Sequence, residues 1–190
     1  MTSPSPTGDF SQVTRSADEK LAELLLIVAD ALKDVPTAGA VKVNKICYYA
    51  ECAHMRSTGK PLTGAEYHRI PEGPGPRRLK PVRGTLVDQK RAEIRYEELG
   101  GYIQHRLVAL DAPRWDVFSE TEQRAIRETL TELLNETGTA LSNRSHAEDA
   151  WNLYEDKETI PLVWAFASGK PPGPRALKRA DELAAKYGLG

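Results

Sequence analysis

A stretch rich in proline and glycine, residues 70–84 (IPEGPGPRRLKPVRG), interrupts the helical patterns of this chain of 190 residues. Proline lacks an amide hydrogen and glycine raises the entropic cost of a helix, so the stretch predicts a region without helix and extended chain on either side. Downstream, residues 93–99 and 102–110 are separated only by the Gly-Gly pair 100–101, which is typical of a two-residue hairpin turn. We therefore expect a small antiparallel sheet, with residues 65–70 as a candidate third strand.

Helix starts are indicated by three serines that are each followed three residues later by a glutamate, the spacing of a capping box. The pairs are Ser16 with Glu19, Ser119 with Glu122, and Ser145 with Glu148. The first pair predicts a helix of about 16 residues. The second predicts a third long helix with an apolar stripe that extends to Thr137. The third predicts a short helix that buries Trp151 with Leu153 or Tyr154. A last helix is predicted over residues 174–187.

The second helix is predicted over a segment that contains both cysteines, Cys47 and Cys52, together with His54. Apolar residues recur there at helical spacing, and Gly59, followed closely by a proline, is a typical helix stop. On this helix the two cysteines point about 140° apart, and His54 lies about 10 Å along the axis from Cys47, so the three cannot bind one metal ion. An apolar face also provides no base for a nucleophilic Cys47. We interpret both cysteines as buried structural residues and His54 as a hydrogen-bonded core residue.

Composition restricts the function classes. A formal net charge of -1 gives no general attraction to a polyanion or a membrane surface, and no apolar run approaches the roughly 18 residues that span a bilayer. Residues 1–15 lack the pattern of a signal peptide and are predicted to form a disordered tail. We expect residues 16–190 to form a single domain in the cytoplasm with reduced thiols, without a metal or other cofactor and without catalytic residues.

Four blocks in fixed order resemble the Panacea domain of SocA-like antitoxins over about residues 21–164. The blocks are VNKICYYAECAHMRSTGKPL, EGPGPRRL, the capped helix beginning at FSETEQ, and LSNRSHAEDAW ahead of an Ile-Pro pair. The family motif falls on ten residues that we interpret as structural: Lys45, Tyr48, Tyr49, Gly59, Pro61, Gly73, Pro74, Ser145, His146 and Trp151.

The fold expected from the patterns and the resemblance is mainly α with α+β character. It is a helical domain with a two- or three-stranded antiparallel sheet inserted between the second and third long helices. The resemblance implies a non-enzymatic antitoxin that neutralises a cognate toxin, encoded by an adjacent gene, through direct protein binding. Toxins that inhibit translation occur as partners in the family, and delivery of the toxin to a protease is an alternative mode of action.

Candidate partner-binding residues are Arg77, Arg78 and Arg83 of the Pro/Gly stretch, whose prolines limit the entropy lost on docking. Tyr48 is a further candidate, because Tyr48 and Tyr49 occupy adjacent helical positions and one of them is expected to approach the surface.

Two other classes of function stay open at this stage. A DNA-binding regulator of its own operon would contact phosphates through Lys80 and the same three arginines, although no helix-turn-helix is recognisable. An enzyme would have to bring together His68, His105 and His146 with an acidic partner such as Glu66, which no spacing in the sequence requires.

Overall fold

The computed structural model describes residues 10–167, with side chains described from residue 16 onward, and the predicted helix over residues 174–187 lies outside this range. The α-helices are α1 (Phe10–Ala31), α2 (Ala40–Thr58), α3 (Leu79–Asp88), α4 (Glu120–Leu133), α5 (Gly138–His146) and α6 (Asp149–Asn152). The strands are β1 (Tyr67–Ile70), β2 (Gly73–Pro76), β3 (Ala92–Leu99), β4 (Tyr102–Ala109) and β5 (Thr159–Ile160). Short 3₁₀ helices lie at Trp115–Val117 and Leu162–Phe166. The predicted mainly α fold with small antiparallel sheets is confirmed.

The core is built on α1 and α2. Residues 24–29 of α1 are all buried, so this part of the helix is covered on every side. Helix α2 packs against α1, α4, α5, β2 and the second 3₁₀ helix. Among the described residues, no helix is both long and apolar enough to cross a bilayer.

The first helix begins earlier than predicted. Helix α1 starts at Phe10, so Ser16 lies inside it and not at its N-terminus. Residues 10–15 contain neither proline nor glycine, and nothing in their sequence stops the helix from extending. The capping-box spacing of Ser16 and Glu19 was therefore a wrong indication of the helix start.

The strands form two sheets instead of one. In the first sheet β1 pairs with β2 on one side and β5 on the other, both antiparallel, and in the second sheet β3 pairs with β4. The strand at residues 65–70 exists as β1, but its placement beside the hairpin was wrong. Its partner β5 follows α6 in the chain, so the three-stranded sheet joins the middle of the domain to its C-terminal part.

The predicted hairpin is confirmed. Gly100 and Gly101 have φ angles of 58° and 86°, the left-handed values of a type I′ turn, and Leu99 pairs with Tyr102 across it. The tip of the hairpin extends past the core, which leaves Ile103 65% exposed. Gln104 is buried instead and donates a hydrogen bond to the carbonyl oxygen of Pro36.

The prediction that residues 70–84 exclude a helix was wrong, because α3 contains both Pro81 and Gly84. Pro81 lies in the first turn of the helix, where amide hydrogens have no intrahelical acceptor. Because proline lacks only such an amide hydrogen, the helix loses no hydrogen bond at this position. Burial of Val82 and Leu86 holds the helix on the core.

The third long helix is confirmed with both hydrogen bonds of the Ser119–Glu122 capping box. Thr137 does not extend its stripe but caps α5, where its hydroxyl accepts from the amide of Ala140. The capping box at Ser145 was wrong, because Ser145 lies in the last turn of α5 and donates to the carbonyl oxygen of Ser142. Helix α6 begins one turn later.

Candidate functional site

Four of the motif residues, Lys45, Gly73, Pro74 and Ser145, meet where α2, β2 and α5 come together, and we call them the motif cluster. The Lys45 ammonium group donates to the carbonyl oxygen of Pro74 over 2.9 Å, and the Lys45 side chain is 1% exposed. Gly73 has a φ of 102°, and a Cβ there would stand 2.5 Å from Lys45 Nζ and clash with the hydroxyl of Ser145. The cluster therefore requires glycine at position 73.

Burial destabilises the charged form of Lys45. Burial lowers its pKa from 10.5 to about 7, although the carboxylates of Glu72 and Glu148 favour the charged form. The hydrogen bond from Lys45 to Pro74 ties α2 to β2.

Tyr48 and Tyr49 are both buried, with 2% and 5% exposure, so the expectation that one approaches the surface was wrong. Helix α2 has neighbours on several sides, and adjacent positions can both face protein. The Tyr48 hydroxyl donates to Glu148 over 2.9 Å, and its ring packs 5.5 Å from that of Tyr67. Burial raises the pKa of both phenols, so they stay protonated at neutral pH.

Trp151 is held between two cationic or aromatic groups. The Arg69 guanidinium lies 4.0 Å from its ring, and the His146 ring packs at a centroid distance of 4.1 Å. The Trp151 indole also donates to the carbonyl oxygen of Ile70. This stack joins the α5–α6 region to β1.

The end of α2 contains a buried carboxyl group that sequence reasoning missed. Gly59 ends the helix at φ 72°, and Pro61 follows it in the chain. Glu51 accepts hydrogen bonds from the amides of Leu62 and Thr63 and from the Thr63 hydroxyl. Burial nevertheless raises the pKa of Glu51 to about 7. The available signal was its position four residues after Cys47, on the same helical stripe.

The cysteines and His54 lie as predicted. Both thiols are free and buried, and burial raises their pKa values, that of Cys52 to about 12. His54 is buried with Nδ1 2.9 Å from the carbonyl oxygen of Lys60. Within residues 10–167 no three His, Cys, Asp or Glu side chains are grouped closely enough to hold a metal ion.

Two of the basic residues of the Pro/Gly stretch form polar contacts within the domain. Arg77 donates to the carbonyl oxygen of Lys157 and the hydroxyl of Thr159. Arg78 pairs with Asp18 at 2.7 Å.

Arg83, the third arginine of the Pro/Gly stretch, is partly buried on α3, and burial lowers its pKa. Lys80 is exposed on the first turn of the same helix.

The three histidines of the enzyme hypothesis lie in different surroundings. His105 packs edge-on against Tyr96 on the hairpin, and His146 packs on Trp151. His68 is on β1, where burial and the neighbouring Arg77 lower its pKa. Glu66 forms an ion pair with Arg77 at 3.5 Å.

The fold is a mainly helical domain in which Lys45, Ser145 and Trp151 each donate a hydrogen bond to a backbone carbonyl oxygen. The family model for the antitoxin SocA-like Panacea domain matches residues 43–152, more than half of the chain, and the chain belongs to this family. Searches of curated proteins and of solved structures found no match.

Proposed function

We propose that this protein is the antitoxin of a toxin–antitoxin pair and that it neutralises a toxin encoded by the adjacent gene through direct binding in the cytoplasm. Membership of the SocA-like antitoxin family is the observation that carries this proposal. Toxins that inhibit translation are the partner class that the family resemblance suggests.

The internal bonding of the motif residues supports a scaffold function. Lys45, Ser145 and Trp151 each donate a hydrogen bond to a carbonyl oxygen within the domain. A side chain that donates to a carbonyl oxygen inside the domain holds the backbone in place. Partner binding would then use the outer surface of the domain. A stable complex would bury about 1,200–2,000 Å² of surface, with a few large side chains at its centre.

The predicted contact residues differ in how available they are. Arg77 and Arg78 have side chains that are 41% and 52% exposed and stay candidate contacts, as does Arg83. Tyr48 is buried, so its contribution would be to support the overlying surface from beneath.

The test is co-expression of this chain with the product of the adjacent gene. We expect growth inhibition by that product to be relieved, and the two proteins to co-purify as a stable complex. A matched control is the Gly73→Arg variant, whose large side chain cannot fit the motif cluster and which should fail to rescue growth. Repeated failure of the wild-type chain both to rescue and to bind would contradict the proposal, whereas salt-sensitive binding to its own promoter without toxin binding would favour a DNA-binding regulator.

A further inference from the structure

We infer that a groove beside the free edge of β4 receives an extended, basic segment of the toxin. This inference rests on the proposed function and names the surface and the partner chemistry that it uses. The groove is a cavity of about 670 Å³ between residues 102–105 of β4 and the N-terminal ends of α2 and α5.

The backbone of β4 is open toward this cavity. Leu99 and Tyr102 flank the two-residue turn, where the paired residues bond to each other. Bonded residues alternate along an antiparallel ladder, so Ile103 and His105 direct their N–H and C=O groups away from β3. Within residues 10–167 no further strand pairs with this edge. An extended segment of the partner could therefore add to the sheet here.

The side chains at the tip provide apolar contact area. Ile103 and Tyr102 are 65% and 57% exposed, and both line the cavity. Val41 on the opposite wall adds apolar surface. Large exposed apolar residues beside a groove are typical of a protein interaction site.

Charge at the groove favours a basic partner. Glu72 lines the cavity, and Glu136 lies next to it and acts electrostatically on Lys42. Both glutamates are exposed, and neither forms a salt bridge with a described residue. Lys42 also lines the cavity, but it is buried and its ammonium group donates to the carbonyl oxygen of Leu134.

The remaining features of the cavity agree with an extended backbone. The N-terminal ends of α2 and α5 carry partial positive charge, which favours contact with the carbonyl oxygens of an incoming segment. The Lys and Arg side chains of that segment would pair with Glu72 and Glu136 at the rim of the groove.

A proline substitution tests the edge of the groove, because it removes both the outward amide hydrogen of Ile103 and the exposed Ile103 side chain. Ile103→Pro removes an amide hydrogen that the hairpin itself does not use, so β3 and β4 should stay paired. We expect the dissociation constant for the product of the adjacent gene, measured by titration calorimetry, to rise about tenfold or more. Glu98→Pro is the matched control, because Glu98 lies directly opposite Ile103 on the other edge of the same hairpin. Circular dichroism of each variant shows whether the fold is kept.

Charge reversal tests the partner chemistry. Glu72→Lys and Glu136→Lys should each weaken binding about three- to tenfold at low salt and less at high salt. Glu128→Lys is the control with the same change in charge, since Glu128 is exposed on α4 and outside the groove. The control should bind like the wild type.

The outcomes separate the inference from the proposed function. If the wild-type chain binds the toxin and the groove variants bind equally well, the inference is wrong and the proposed function stands. If the wild type does not bind, both fail. If Ile103→Pro changes only self-association in sedimentation experiments and leaves toxin binding intact, the groove is an interface between copies of this chain and the inference is again wrong.

Discussion

The Lys45 ammonium group on α2 donates to the carbonyl oxygen of Pro74 on β2, with 2.9 Å between Nζ and the oxygen. Lysine is rarely fully buried without an anionic partner. Here the hydrogen bond compensates part of the desolvation cost, and it fixes the Gly-Pro strand against the central helix. Three consequences of this motif cluster and its neighbours, and one of the Trp151 stack, can be measured.

Gly73→Ala should destabilise the protein by about 2–4 kcal/mol, because the new methyl group would clash with the Ser145 hydroxyl and crowd Lys45 at a positive φ. Gly84→Ala is the control. Gly84 lies in α3, and the position that an alanine methyl group would take there is open space, so alanine should stabilise the protein by about 0.5–1 kcal/mol. Urea unfolding of both variants gives the two changes. A Gly73→Ala protein as stable as the wild type would show that the cluster is not tightly packed.

Local patterns predicted some of the elements that depend on local chemistry, whereas the Ser16–Glu19 and Ser145–Glu148 spacings wrongly indicated helix starts. The Ser119–Glu122 capping box, the Gly59 helix end and the Gly100–Gly101 turn are each determined by a few neighbouring residues, and all three are found. The burial of Cys47 also followed from helical spacing, whereas Cys52 points about 140° away on the helix and is buried because α2 has neighbours on several sides.

Features that depend on packing could not be predicted in this way. Tyr48 and Tyr49 are both buried because α2 has neighbours on several sides, which its own pattern of apolar residues does not show. Lys45 and Glu51 are buried for the same reason, with partners on β2 and in the segment after α2. The pairing of β1 with β5 is fixed by contacts between distant parts of the chain.

The stability of the wild type should depend on the titration of Lys45. Its folded-state pKa of about 7 lies below the ordinary 10.5, so between these pH values the unfolded chain binds more protons than the folded chain. Unfolding free energy should therefore rise with pH across this window, by at most about 1.4 kcal/mol per pH unit. Lys45→Met should lack this increase, whereas the exposed-site control Lys80→Met should keep it.

Urea unfolding at pH 7, 8 and 9 gives the comparison for these lysine variants. If the wild type and Lys45→Met gain the same stability between pH 7 and 9, the ammonium group of Lys45 is not destabilised by burial as the structure indicates.

Trp151→Ala should loosen the attachment of α6 to β1. The change removes the contacts with Arg69 and His146 and the hydrogen bond to Ile70, and because Trp151 is only partly buried we expect a loss of about 2–3 kcal/mol. Trp151→Phe keeps an aromatic ring but not the hydrogen bond, and it should lose about 1 kcal/mol. Thermal unfolding followed by circular dichroism ranks the variants, and equal losses for both would show that stacking contributes nothing.

Glu51 should give the opposite pH dependence. Its folded-state pKa of about 7 lies above the ordinary 4.5, so between these pH values the folded chain binds more protons and stability falls as pH rises. Glu51→Gln removes the titration, but one of its two polar atoms becomes a donor facing the amides of Leu62 and Thr63. We therefore expect a variant less stable than the wild type by about 1–3 kcal/mol at pH 5, with a smaller deficit at pH 7.

The matched control for Glu51→Gln is Glu128→Gln at an exposed position of α4, which should follow the wild type at every pH. Glu51 and Lys45 contribute slopes of opposite sign that meet near pH 7, while His68, whose pKa is lowered, contributes a rise with pH below its ordinary 6.5. The contribution of Glu51 is therefore the difference between the unfolding free energies of the wild type and of Glu51→Gln, measured from pH 5 to 9. If that difference does not change between pH 5 and 7, the surroundings of Glu51 stabilise its charged form more strongly than its burial indicates.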